Sequence, residues 1–135
     1  MTANSKSLVS GAEIEVLRVL ASRELRPNVL IHCHASEVDG IIAQLQTVCA
    51  GPLCNCQLPG ALDPSPGSKG TLLLNDVAAL TIPQQVLLFD WLGQHRGASQ
   101  VISITRKNLT KMVRGGTFLD DLFYRLNTVF VRTDS

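Results

Sequence analysis

In the stretch GTLLLND (70–76), a run of apolar residues ends on Asn75 and Asp76. Nucleotide hydrolases place a carboxylate at such a strand end to help hold magnesium, with a further group to orient the attacking water. Asn75 is neutral and holds a cation less well than a carboxylate. Asp76 keeps a carboxylate that could serve as a base, although misplacing such a group by about 1 Å can cost 100-fold in rate. A hydrogen-bonding pair that finishes a strand accounts for both residues more simply.

A second candidate stretch is HCHASEVDG (32–40). It follows an apolar run, as a phosphate-binding loop would. Such a loop needs glycines, so that backbone N–H groups can wrap phosphates, and a Lys followed by Ser or Thr. Here His32, Cys33, His34, Ala35, Ser36, Glu37, Val38 and Asp39 precede the first glycine, Gly40, and no lysine is present. Glu37 and Asp39 would repel phosphate, since charges about 4 Å apart interact by roughly 1–4 kcal/mol in a partly screened setting. Ser36, with Asp39 three residues on, fits a helix cap. Thiolate with imidazole also suits zinc, which raises a third candidate from His32, Cys33, His34, Cys49, Cys54 and Cys56. Their spacing matches no paired Cys-x-x-Cys pattern, and strand alternation points His32 and His34 away from Cys33. Reduced, buried thiols are the expectation, with no metal site.

The elements that would position these residues alternate between helix and strand. Ser10 and Glu13 form a capping box before a helix carrying Ile14, Leu17, Leu20 and Ala21, which Pro27 stops. Strands are expected at 29–33, 53–56, 71–75, 100–105 and 128–132. A helix with the stripe Val38, Ile41, Ile42, Leu45 and Val48 follows the first strand. Another starts near Pro83, carries Val86, Leu87, Phe89 and Leu92, and stops by Gly97. Shorter helical pieces are expected near 107–114 and 118–126, and the Pro- and Gly-rich segment 58–70 is a loop. Strands without a polar face suit a parallel sheet covered on both sides. The fold class is therefore α/β, a three-layer sandwich with a five-stranded parallel sheet, whose ligands would bind outside the strand carboxyl ends.

The 135 residues suffice for one domain, read as a flexible arm at 1–9 and a folded unit at 10–135. A net charge of +1 predicts no strong pull toward nucleic acid or an anionic membrane. The N-terminus lacks a signal-peptide core, and no apolar run reaches the roughly 20 residues that cross a bilayer, so a cytoplasmic protein is expected. His95, beside Arg96 at a helix end, reads as a surface cation near the negative end of the dipole. Trp91 and Phe89 read as core or as a subunit interface.

Three segments, GTLLLNDVAALTIPQQVLLFDWL, QVISITRKNL and GGTFLDDLFYRLN, together with CNCQLP upstream, resemble the AAA+ domain of sigma-54-dependent transcriptional activators. Their order matches that family's Walker B, sensor I and arginine-finger segments. The resemblance implies a P-loop NTPase α/β core without the helical lid. It further implies that Asn75 and Asp76 stand at the Walker B acids, Arg106 at the sensor I Asn, and Leu119 and Arg125 at the two finger arginines, of which only Arg125 survives. A structural ion pair of Arg125 with Asp120 or Asp121 is expected in place of a finger role. The family places an insertion that engages sigma-54 where the loop 60–69 stands, so direct contact with sigma-54 is not expected. The lid, second sensor and DNA-binding domain would lie beyond Ser135, which reads as a stand-alone or truncated core without DNA binding.

The combined expectation is a pseudo-ATPase without catalytic or cofactor-binding residues. It would act as a protein-interaction module, with a genuine sigma-54 activator as the candidate partner. The alternatives are a residual regulator that still binds ATP and magnesium, and a Cys/His metal-binding domain.

Overall fold

The computed structural model describes residues 27–49, 53–60, 70–94 and 100–133. The expected arm at 1–9, the first helix, the loop 61–69 and His95 lie outside the described residues. The strands are β1 (Val29–His32), β2 (Leu53–Gln57), β3 (Thr71–Asn75), β4 (Gln100–Thr105) and β5 (Val129–Arg132). The helices are α1 (Val38–Val48), α2 (Ile82–Gln94), α3 (Leu109–Arg114) and α4 (Asp120–Leu126), with short 3-10 turns at Ala35–Glu37 and Val77–Ala79. All five strands pair in parallel in the order β2-β3-β4-β1-β5.

Burial follows from that order. β3 and β4 are buried along their whole length, and β1 up to His32, because they are central and covered on both faces. One face packs Val29, Ile31, Leu73, Ile102, Ile104 and Val131 against Val38, Ile41 and Leu45 of α1. The other packs Leu30, Leu72, Leu74 and Val101 against Leu88 and Leu92 of α2, Leu109 of α3, and Leu122 and Leu126 of α4. Asn28, just before β1, ties the last turn of α4 to the start of β4. Its Nδ2 donates to the Arg125 carbonyl at 3.0 Å, and its Oδ1 accepts from the Val101 N–H at 3.1 Å.

Helix α2 sits differently from its expected stripe. Val86 and Leu87 are 44% and 66% exposed, while Gln85, Leu88 and Leu92 face inward. The sequence IPQQVLLFDWL is apolar on nearly every side, so periodicity alone does not choose which side is buried. A polar residue decides it. Gln85 is fully buried, its Nε2 donates to the carbonyls of Leu80 (3.1 Å) and Thr117 (3.0 Å), and its Oε1 accepts from the Leu119 N–H (2.8 Å). That one side chain staples α2 to the turn that enters α4.

Gln85→Ala removes three hydrogen bonds, leaving the Leu80 carbonyl buried and the Thr117 carbonyl and Leu119 N–H partly buried without that partner, so it should lower the unfolding free energy by about 1–3 kcal/mol. Urea denaturation measures this. A change within about 0.5 kcal/mol, as for an ordinary surface substitution, would contradict the staple.

Candidate functional site

The turn between β1 and α1 is built around a carboxylate. Glu37 is 3% exposed, and its Oε1 accepts from the His34 backbone N–H at 2.9 Å and from the Thr133 hydroxyl at 2.9 Å. The Glu37 N–H in turn donates to the His34 carbonyl at 2.9 Å, closing the 3-10 turn Ala35–Glu37. The expected cap therefore moves. Ser36 lies exposed inside the 3-10 turn, α1 begins at Val38, and the residue that bonds the turn's free N–H is Glu37 reaching back three positions. Two side-chain-to-backbone patterns compete here, and the Glu pattern gains the Thr133 bond as well. His34, Ala35, Ser36 and Asp39 face water, Val38 enters the core, and His32 is half-buried at the end of β1.

At the end of β3 the two candidate residues part. Asn75 is 4% exposed and its Nδ2 donates to Gln57 Oε1 at 2.8 Å, across the β2–β3 register pair of these same two residues. Asp76 adopts the left-handed conformation (φ 77°, ψ 54°), which Asp tolerates better than most residues, and its N–H donates to the Ile104 carbonyl at 3.0 Å. Its carboxylate lies 3.6 Å from the Arg106 guanidinium. The structure thus brings Asp76 and Arg106 together, on neighbouring strand ends. Both are partly exposed, so the pair is worth no more than about 1 kcal/mol. Beyond Arg106, Thr105 Oγ1 holds both the carbonyl and the N–H of Lys107, and Asn108 Oδ1 caps α3 by accepting from Lys111 N–H at 3.1 Å.

The finger positions lie elsewhere, on the α2–α4 side. Leu119 is the N-cap of α4, and its N–H is the one that Gln85 accepts. Arg125 departs from the expected ion pair. Its guanidinium lies over the Phe89 ring, 4.9 Å from the centroid, and among the described residues no ion pair joins it to Asp120 or Asp121. A planar cation on an aromatic face is worth about 0.5–1 kcal/mol in a partly exposed setting, comparable to the surface pair it replaces. Phe89 and Trp91 pack against the α2-side core while remaining partly buried. Tyr124, 70% exposed, borders an open recess of about 410 Å³ with Asn28, Phe89 and Arg125.

The cysteines are divided by the sheet. Cys33 and Cys49 pack with the α1-side core, Cys54 and Cys56 with the α2-side core, and none of the four forms a disulfide. Among the described residues no three His, Cys, Asp or Glu side chains gather closely enough to hold a metal ion. Nor is any described helix long and apolar enough to cross a membrane. Sequence reasoning missed Gln85, Gln57 and Thr133 as partners. Nothing local marks them, because each acts on a residue at least 18 positions away.

A five-stranded parallel sheet ordered β2-β3-β4-β1-β5, with a turn into a helix after β1 and an Asn-Asp end on β3, defines a P-loop NTPase fold. The family model for the sigma-54 interaction domain matches residues 41–134, and the chain belongs to that family. The regulatory protein AtoC of Escherichia coli is 34% identical over 73 residues, which cover 46% of this chain and 16% of AtoC. An NtrX-like response regulator of Rickettsia bellii is 31% identical over 78 residues, 50% of this chain and 16% of that protein. The chain thus matches about a sixth of the length of these relatives. Among solved structures, NtrX of Brucella abortus in complex with ADP superposes with a TM-score of 0.73 at 18% identity, over 94% of this chain and 37% of that one. The P-loop NTPase domain of a sigma-54 activator from E. coli gives 0.60 at 16% identity, over 92% and 93% of the two chains.

Burial pushes the Cys33 thiol up from 9.0 to about 11; the nearby Glu37 carboxylate adds to the rise, and Arg106 offsets part of it. Below pH 9 the thiol is neutral whether the chain is folded or unfolded, so its contribution to stability is fully present. Between pH 9.0 and about 11 the unfolded chain gives up its proton first, and that contribution is lost. Native Cys33 should therefore resist iodoacetamide at pH 8 and react once the chain is unfolded in urea, as peptide mass analysis would report. Rapid labelling of the native protein at Cys33 would contradict this placement.

Proposed function

We propose that this sigma-54 activator-type domain neither binds nor hydrolyses ATP and acts in transcriptional regulation as a protein-interaction module. The observation that carries the reading is Glu37. In a P-loop fold the turn after β1 offers backbone N–H groups to phosphate. Here the His34 N–H is engaged by the chain's own carboxylate, which Thr133 holds from just past the neighbouring strand β5. A magnesium triphosphate does not fit these residues. It would meet a buried anion, with no lysine between His32 and Gly40 to offset it, and at Asn75 a neutral amide, held through its Nδ2 by Gln57, where a carboxylate would hold the cation. The family match begins at Ile41, just past this turn, so the part of the chain that matches the family is the part without the phosphate loop.

The partner this reading favours is a genuine sigma-54 activator. The segment GGTFLDDLFYRLN lies within the matched region, and it presents Tyr124 and the Arg125–Phe89 stack at the surface. Docking there would let the domain disturb assembly of an active ring. Direct contact with sigma-54, DNA binding and membrane association form no part of the proposal.

One titration tests both halves. The chain alone, with ATP and magnesium, should release no phosphate above the blank. Added to an authentic sigma-54 activator, it should change that activator's ATPase rate in a saturable way. Phosphate release by the chain alone would sink the first half, and an unchanged activator rate at saturating protein would sink the second.

A further inference from the structure

Helix α2 holds more apolar side chains than the core takes up. Gln85, Leu88 and Leu92 turn inward, whereas Ile82, Val86 and Leu87 stay 36%, 44% and 66% exposed. Beside Leu87 the surface is hollow. A groove of about 360 Å³ runs between the end of β2 and the first turns of α2, walled by Leu58, Pro59, Leu80, Leu87 and Leu88. Gln84 is the one polar side chain among the described residues that line it, and no charged side chain does so.

Patch and groove form one surface. Going round α2 at about 100° per residue, Val86 is followed by Leu87 and then by Gln84 and Leu88. The one charged residue of the helix, Asp90, is exposed and lies outside the groove. Apolar side chains gathered on one face in this way mark a contact surface, where single scattered ones would not. The occupant follows from the shape. A small apolar ligand would fill the groove and leave Val86 and Leu87 in water. A second copy of the chain brings its own projecting Leu87 together with its own groove, and a two-fold interface requires both parts on the same surface.

We propose that two copies of this chain pair through α2 about a two-fold axis, the helices antiparallel and Leu87 of each copy seated in the groove of the other. Helix α2 spans 13 residues, about 20 Å, so the footprint stays below the roughly 800 Å² per partner of a stable dimer. The pair therefore forms and dissociates with concentration, with a dissociation constant of the order of 10–100 μM. The surface uses none of Glu37, Asn75 and Tyr124, so the proposal is independent of the ATPase and activator readings.

Sedimentation equilibrium of the full chain between about 5 and 500 μM tests it. The mass should rise from that of one chain toward that of two, and no further. Leu87→Asp carries a charge into the groove. Gln84→Glu sets one at its rim while keeping a carbonyl-type oxygen for the Thr81 N–H, which Gln84 Oε1 accepts at 2.8 Å. Each should weaken pairing by at least about tenfold, as for a charge left unpaired in an apolar contact. Leu87→Met, a volume-conserving apolar swap, should pair like the parent. Leu87 is exposed and Gln84 half-buried, so the variants should melt no lower than the parent chain. The mass of one chain at every concentration, whether a small molecule or another protein then fills the groove, would overturn the proposal. So would undiminished pairing in both charged variants, its loss in Leu87→Met, or growth beyond two copies.

Discussion

A parallel sheet buried on both faces confines chemistry to its strand ends, and everything functional about this chain follows from what stands there. Strands β3 and β4 have no side chain left over for solvent. The turn after β1 is consequently the place where the fold could hold an anion. The chain fills it from within. Glu37 accepts the His34 N–H and the Thr133 hydroxyl, so a carboxylate already meets the hydrogen-bonding demand that a phosphate would meet. The bond to Thr133 spans 96 positions of sequence and ties the residue after β5 to the turn after β1, which gives the internal anion a structural role in addition to its electrostatic one.

The second strand end follows the same logic. Asn75 is drawn to Gln57 on the edge strand, and Asp76 turns into the left-handed region toward Arg106. The Asn75 Nδ2 and the Asp76 carboxylate each find a protein partner, while the Asn75 Oδ1 stays buried without one. Arg125 lies flat on Phe89 on a different side of the molecule. Positions that the family resemblance groups as one nucleotide-handling set thus fall into separate local interactions, Asn75 with Gln57, Asp76 with Arg106 and Arg125 with Phe89.

Much of the fold was legible in the residues. Apolar runs such as TLLLN and QVISIT mark buried strands wherever they occur, and the stripe Val38, Ile41, Leu45 fixed the inward side of α1. The inward side of α2 was not legible, because Val86, Leu87, Leu88, Phe89 and Leu92 surround the helix and a glutamine, Gln85, chose among them. At the candidate site the sequence indicated that two acids stand where phosphate would go. It could not indicate that Glu37 would turn inward and Asp39 outward, since that choice depends on Thr133 at the other end of the chain. The Arg125 stack was hidden for a similar reason, as Phe89 lies 36 positions earlier (125 minus 89) on another helix.

The claim on which the account rests is that the His34 N–H is occupied by Glu37. Amide NMR spectra recorded while ATP and magnesium are added to millimolar concentration test it directly. The account predicts that the His34 amide, and those of Ala35, Ser36 and Glu37 beside it, keep their positions throughout. A saturable shift of these four amides, as phosphate displaced the carboxylate, would contradict it.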